Sequence, residues 1–122
     1  MSGSENDNHP ADDYAYQSSL DILRKICGDK WKFLIICNLF NGPKRFGELL
    51  YFVDSVTKKV LTENLRELER YGFVERTTYP GNVRKVEYRL TAIAQELKPI
   101  FQSLISWSLE YSRQQKTDSS LF

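Results

Sequence analysis

Thr57-Lys58-Lys59-Val60-Leu61-Thr62-Glu63-Asn64-Leu65-Arg66-Glu67-Leu68-Glu69-Arg70-Tyr71-Gly72-Phe73-Val74-Glu75-Arg76 changes period once, and that change decides the fold. Leu61, Leu65 and Leu68 recur at helical spacing and give one inward stripe, so a helix is predicted over 58–71. Thr57 is placed to cap its N-terminus, and Gly72 stands where a helix usually ends in a left-handed residue. From Phe73 the residues turn β-branched and aromatic. Phe73–Tyr79 and Lys85–Leu90 are predicted strands, joined by Pro80-Gly81-Asn82-Val83-Arg84 into a hairpin with a longer loop. Val86, Tyr88 and Leu90 alternate with Lys85, Glu87 and Arg89, which predicts one buried and one wet face.

Working outward, Asp54-Ser55 reads as a turn, and before it Phe46–Val53 fits a short helix with Leu49, Leu50 and Phe52 for packing. Asn41-Gly42-Pro43 is a strong stop. Lys30–Phe40 is apolar around most of its circumference, so it is predicted to be the central buried helix, capped by Asp29. Leu20, Leu23, Ile26 and Cys27 mark an amphipathic helix that Gly28 ends. Beyond the hairpin, Thr91 can cap a last helical region. Pro99 is predicted to divide it into a short helix to about Lys98 and a longer one to about Arg113. Residues 1–13 read as a disordered polar tail, 14–113 as the domain and 114–122 as a flexible tail. The expected architecture is mainly α with a β-hairpin: a winged helix-turn-helix with flanking N- and C-terminal dimerisation helices.

Composition narrows the function. The 122 residues suffice for one core, and the mix of 41% hydrophobic and 27% charged residues is that of a globular domain. There is one histidine, His9, in the polar N-terminal segment, so no His-based triad or zinc finger can be built. The expectation is no enzyme, no metal and no cofactor. Two cysteines make no disulfide framework; Cys37, midway along the most apolar helix, reads as inert, and Cys27 carries little case for a redox role. No apolar run is long enough to span a bilayer and no signal peptide is visible, so the cytoplasm is expected. Net charge is +1, but residues 1–23 contain five acids and no Lys or Arg, leaving the remainder at net +6. Such asymmetry points toward a polyanion partner.

With the leucine stripe facing in, Lys58, Lys59, Thr62, Glu63 and Arg66 face out or flank it. A major groove admits one helix, whose N-terminal residues reach the base edges. Thr57, Lys58, Lys59 and Thr62 are therefore the candidates for groove contacts. Asn82, Arg84 and Lys85 at the hairpin loop, with Arg45 before the third helix, are the candidates for phosphate or minor-groove contacts. Arg66, Arg70 and Arg89 read as surface cations, the first two within reach of Glu63, Glu67 and Glu69. Leu97, Ile100, Phe101, Leu104, Ile105, Trp107 and Tyr111 make a stripe wider than intrachain packing requires. The predicted dimer interface is Leu20, Leu23, Ile26, Phe101, Leu104, Ile105, Trp107 and Tyr111. An unknown small-molecule effector is expected between the first helix and the dimer helices, where Trp31, Phe101 and Trp107 would gather. The partners expected are double-stranded operator DNA and a second copy. The alternative is a winged helix used as a protein-interaction module, favoured by the low overall charge.

Several stretches resemble the HxlR-type winged helix-turn-helix regulators. They are Gly28-Asp29-Lys30-Trp31-Lys32, Gly42-Pro43-Lys44-Arg45-Phe46 followed by Glu48-Leu49, Leu61-Thr62 with Leu65-Arg66-Glu67-Leu68-Glu69, and Gly72-Phe73-Val74-Glu75-Arg76. Tyr79-Pro80 and Val86-Glu87-Tyr88, then Leu90-Thr91, continue the likeness in one register from about Ser18 to Tyr111. The resemblance implies a bacterial or archaeal homodimeric transcriptional regulator that binds DNA with two recognition helices and two wings. Many members carry a Cys-Pro pair, in several an oxidant sensor, where this sequence has Ser18-Ser19. In the wing loop, family prolines are replaced by Val83-Arg84.

Overall fold

The computed structural model describes residues 10–81, 83 and 85–117, with side chains from Ala15 to Lys116 within that range. Eight elements follow one another: α1 (Pro10–Cys27), α2 (Lys30–Leu39), α3 (Phe46–Phe52), α4 (Lys58–Arg70), β1 (Val74–Tyr79), β2 (Lys85–Leu90), α5 (Ala92–Gln95) and α6 (Leu97–Thr117). The expected order and types hold. The first and last helices run further out than the sequence suggested. Helix α1 takes in residues 10–13 with Pro10 at its first position, where a missing N–H costs nothing. Helix α6 runs four residues past Arg113 and carries Pro99 in its first turn, where it is tolerated for the same reason. Pro99 therefore does not divide the region; the break lies at Glu96, the C-cap of α5. Residues 1–9 and 118–122, the rest of the two expected tails, lie outside the described residues.

The punctuation is chemical. At the end of α1 a Cβ on Gly28 would stand 2.5 Å from the Arg24 carbonyl oxygen, so only glycine fits the exit. Asp29 accepts from the N–H groups of Trp31 and Lys32 and starts α2. Glu48 Oε1 accepts from the Arg45 N–H at 2.8 Å, fixing the start of α3. Gly72 leaves α4 at φ +81°, the left-handed conformation its position demanded.

The core gathers Ile26 of α1, Ile35, Ile36 and Leu39 of α2, Leu49 of α3, and Leu61, Leu65 and Leu68 of α4, closed by Val74, Leu90, Ala94 and Phe101. Phe101 stacks on Phe33 at 4.6 Å between centroids and meets Phe40 edge-on at 5.8 Å. Phe52, expected to pack, is instead exposed at the end of α3 with its ring edge-on to exposed Tyr51. Strands β1 and β2 pair antiparallel with Val74 opposite Leu90 and Tyr79 opposite Lys85. Lys44 bridges to Tyr88 by two backbone hydrogen bonds and so ties the α2–α3 connection to the hairpin. The expected alternation along β2 is blurred, since Lys85 through Arg89 are all half-buried and only Leu90 is buried.

Candidate nucleic-acid interface

Helix α4 is held to α2 by a buried ammonium. Lys32 is 5% exposed, and its Nζ donates to Asp29 Oδ2 at 3.0 Å, to Asn64 Oδ1 at 2.9 Å and to Glu67 Oε1 at 2.5 Å. Asn64 in turn donates to the Val60 carbonyl. Burial alone pulls the Lys32 pKa down, but its hydrogen bonds to Glu67 and Asp29 win and hold it above the ordinary lysine value. The Lys32 ammonium holds Glu67 below the usual carboxylate value. Asp29 is also lowered: burial pushes it up, and the Lys32 ammonium with the N–H groups of Lys32 and Trp31 outweighs that. The sequence reading used Asp29 only as a cap and gave Lys32 no role. Its spacing of three residues from Asp29, on the most apolar helix, was the available signal.

Held in this way, α4 turns its other side outward. Lys58 and Lys59 are exposed at its first turn, and Arg66 lies on the same side two turns on. None of the three takes part in an ion pair among the described residues, so Arg66 does not make the intrahelical pairing expected of it. Arg70 does approach Glu67, at 4.0 Å. The Thr57 hydroxyl accepts from the Val60 N–H at 3.2 Å as the expected cap, which leaves its own hydrogen free to donate. The Thr62 hydroxyl donates to the Lys58 carbonyl at 2.8 Å, so toward a ligand its oxygen is left to accept. Arg45 is exposed at the head of α3.

At the hairpin, Lys85 pairs with Glu87 at 3.3 Å and lies over the Tyr79 ring at 5.3 Å. Glu87 also faces Arg89 at 3.6 Å, and Arg89 donates to the Tyr79 hydroxyl. Lys85 is thus already partnered, unlike Lys58 and Lys59. Asn82 and Arg84 lie outside the described residues, while Val83 between them is exposed.

The predicted interface residues divide. Ile26 and Phe101 are corrected to core, because α1 turns Ile26 inward beside Ile22 and the Phe33 and Phe40 rings enclose Phe101. Leu20 is half-buried; Leu23, Leu104, Ile105, Trp107 and Tyr111 stay exposed. Trp107 is 64% exposed and Leu109, which the sequence reading passed over, 66%. Trp107 stacks on Tyr111 at 5.4 Å, so Trp31, Phe101 and Trp107 form no common aromatic cluster. Among the described residues there is no group of His, Cys, Asp or Glu able to hold a metal, and no helix long and apolar enough to cross a membrane.

A helix held by its inner side, cationic at its outer start and followed at once by a two-stranded hairpin, defines a winged helix-turn-helix. The family model described as HxlR-like helix-turn-helix matches residues 26–116, and the chain belongs to that family of transcriptional regulators. It is 39% identical over 100 residues to the HTH-type transcriptional regulator YkvN of Bacillus subtilis, covering 82% of this chain and 85% of that one. It is 37% identical over 86 residues to the regulator YodB of the same organism, covering 70% and 77%. Among solved structures, the redox regulator HypR in its reduced form superposes with a TM-score of 0.73 at 32% identity, over 81% of this chain and 98% of that one. The reduced form of YodB gives 0.64 at 34% identity, over 83% and 91%.

Proposed function

We propose that the protein acts as a homodimer that binds specific operator DNA, with α4 entering the major groove and the hairpin reaching the minor groove beside it. The observation that carries this reading is the pair of unpartnered lysines at the exposed start of α4, on a helix whose opposite side is fixed by Lys32. Thr57, Lys58, Lys59 and Thr62 are the groove contacts; Arg45, Asn82, Arg84 and Lys85 meet phosphates or the minor groove. Lys58→Ala with Lys59→Ala is expected to weaken operator binding by well over tenfold, about 1.4 kcal/mol or more, in a mobility-shift titration. An unchanged affinity would sink the assignment.

The second copy is assigned to α6, because its apolar side chains from Leu104 to Tyr111 are uncovered within the protomer. Leu23 of α1, exposed as well, is assigned to the same contact. An apolar effector, if one acts, has a recess of about 270 Å³ between Phe33 and Leu104, Ile105, Trp107 and Ser108. One structure of the relative YodB is described as quinone-bound. Ser18 stands where the sensing cysteine of similar regulators would be, so the first helix offers no thiol at that position. Burial raises the Cys37 pKa and disfavours its thiolate.

A further inference from the structure

Strand register places Arg76 opposite Tyr88, one pleat from the pair Val74 and Leu90 on the same face of the hairpin. Val74 and Leu90 are buried in the core, so this is the face turned toward the helices. Across from it α4 offers Thr62, Leu65, Arg66 and Glu69, and with Arg76 and Tyr88 these enclose a cleft of about 220 Å³. Two guanidinium groups face one carboxylate there. Arg76 Nε stands 4.0 Å from Glu69, too far for a hydrogen bond, and Arg66 has no partner among the described residues. The Tyr88 hydroxyl also has none. Planar guanidinium forks with free donors suit a tetrahedral oxyanion better than any neutral ligand.

The position of the cleft selects among oxyanions. On one side of a DNA duplex, neighbouring major and minor grooves are separated by a single ridge of sugar and phosphate. With a helix in the first groove and a hairpin in the second, that ridge has to cross the space between helix and hairpin. Here that space is the Arg66–Arg76 cleft. We propose that Arg66 and Arg76 clamp a phosphate of this ridge and so set the register of α4 in the groove, without reading a base. The proposal deepens the DNA-binding reading above and rests on it.

The test compares wild type, Arg66→Gln/Arg76→Gln and Arg66→Lys/Arg76→Lys by fluorescence anisotropy. Duplexes from the protein's own promoter region and a shuffled control are titrated over a salt series. The Gln pair is expected to weaken both duplexes by about tenfold and to flatten the slope of log K against log salt by about one per protomer. The Lys pair should recover part of the loss, and thermal melts of all three should coincide. A Gln pair with the wild-type slope overturns the clamp while leaving the DNA reading intact; a wild type that binds neither duplex overturns both. Inorganic phosphate, titrated into DNA-free protein and followed by NMR at the arginine Nε–H groups, separates the remaining source. Saturation there with an unchanged salt slope would make the cleft a small-anion site and overturn the proposal.

Discussion

Lys32 is charged in a place that lysine seldom occupies, and its partners explain why it can be. Asp29 and Glu67 keep contact with water, their side chains 32% and 40% exposed, so removal of the ammonium leaves them resolvated rather than stranded. Lys32→Met is therefore expected to cost about 1–3 kcal/mol, below the loss from breaking a fully buried pair, as read by urea unfolding. The pH dependence follows from the directions of the shifts. Glu67 and Asp29 are lowered, so their share is present above the ordinary carboxylate value and lost as pH falls through the lowered ones. Lys32 is raised, so its share is present below the ordinary lysine value and lost as pH rises through the raised one. The gap between wild type and Lys32→Met should be flat from about pH 5 to 9 and close on both sides. A gap that widened at pH 3 would contradict the network.

At the scale of elements, what the sequence disclosed and what it withheld have separate physical causes. Helix α4 and the hairpin could be read because a stripe of three leucines and a change of period are local signals. Gly72 was equally readable, and its φ of +81° makes a prediction. Gly72→Ala should lower stability by roughly 1–2 kcal/mol through the left-handed penalty, visible as a lower Tm. Burial depends on the other elements, and that was not in the local pattern. Ile26 and Phe101 look like interface residues on a helical wheel, yet Phe33 of α2 and Phe40 at its C-cap meet Phe101, and Ile26 joins the same core. Arg66 was read through the acids beside it in sequence, whereas its actual surroundings come from a strand ten residues further along. The Lys85–Glu87–Arg89 group was likewise hidden, since only the paired hairpin shows how much of the basic surface near the wing is already neutralised. Among the described residues, the site cations without an ion pair are Lys58, Lys59 and Arg66 on α4, with Arg45 at the head of α3.

For the whole molecule, α6 carries the exposed apolar side chains from Leu104 to Tyr111 on which the proposed homodimer rests. Its 21 residues span about 31 Å at the usual helical rise, close to the roughly 34 Å between half-sites on one face of DNA. Trp107→Glu should give a monomer by sedimentation velocity, with α-helical circular dichroism retained, because Trp107 lies outside the core. Persistence of the dimer would move the interface elsewhere. The uncovered helix also bears on how such a protein would respond to its own abundance. If pairing through α6 must precede tight DNA binding, promoter occupancy below the dimer dissociation constant rises with the square of the protomer concentration. The same greasy helix would then give the cell a threshold: a modest change in synthesis or turnover would move a target gene sharply, with no signalling molecule involved.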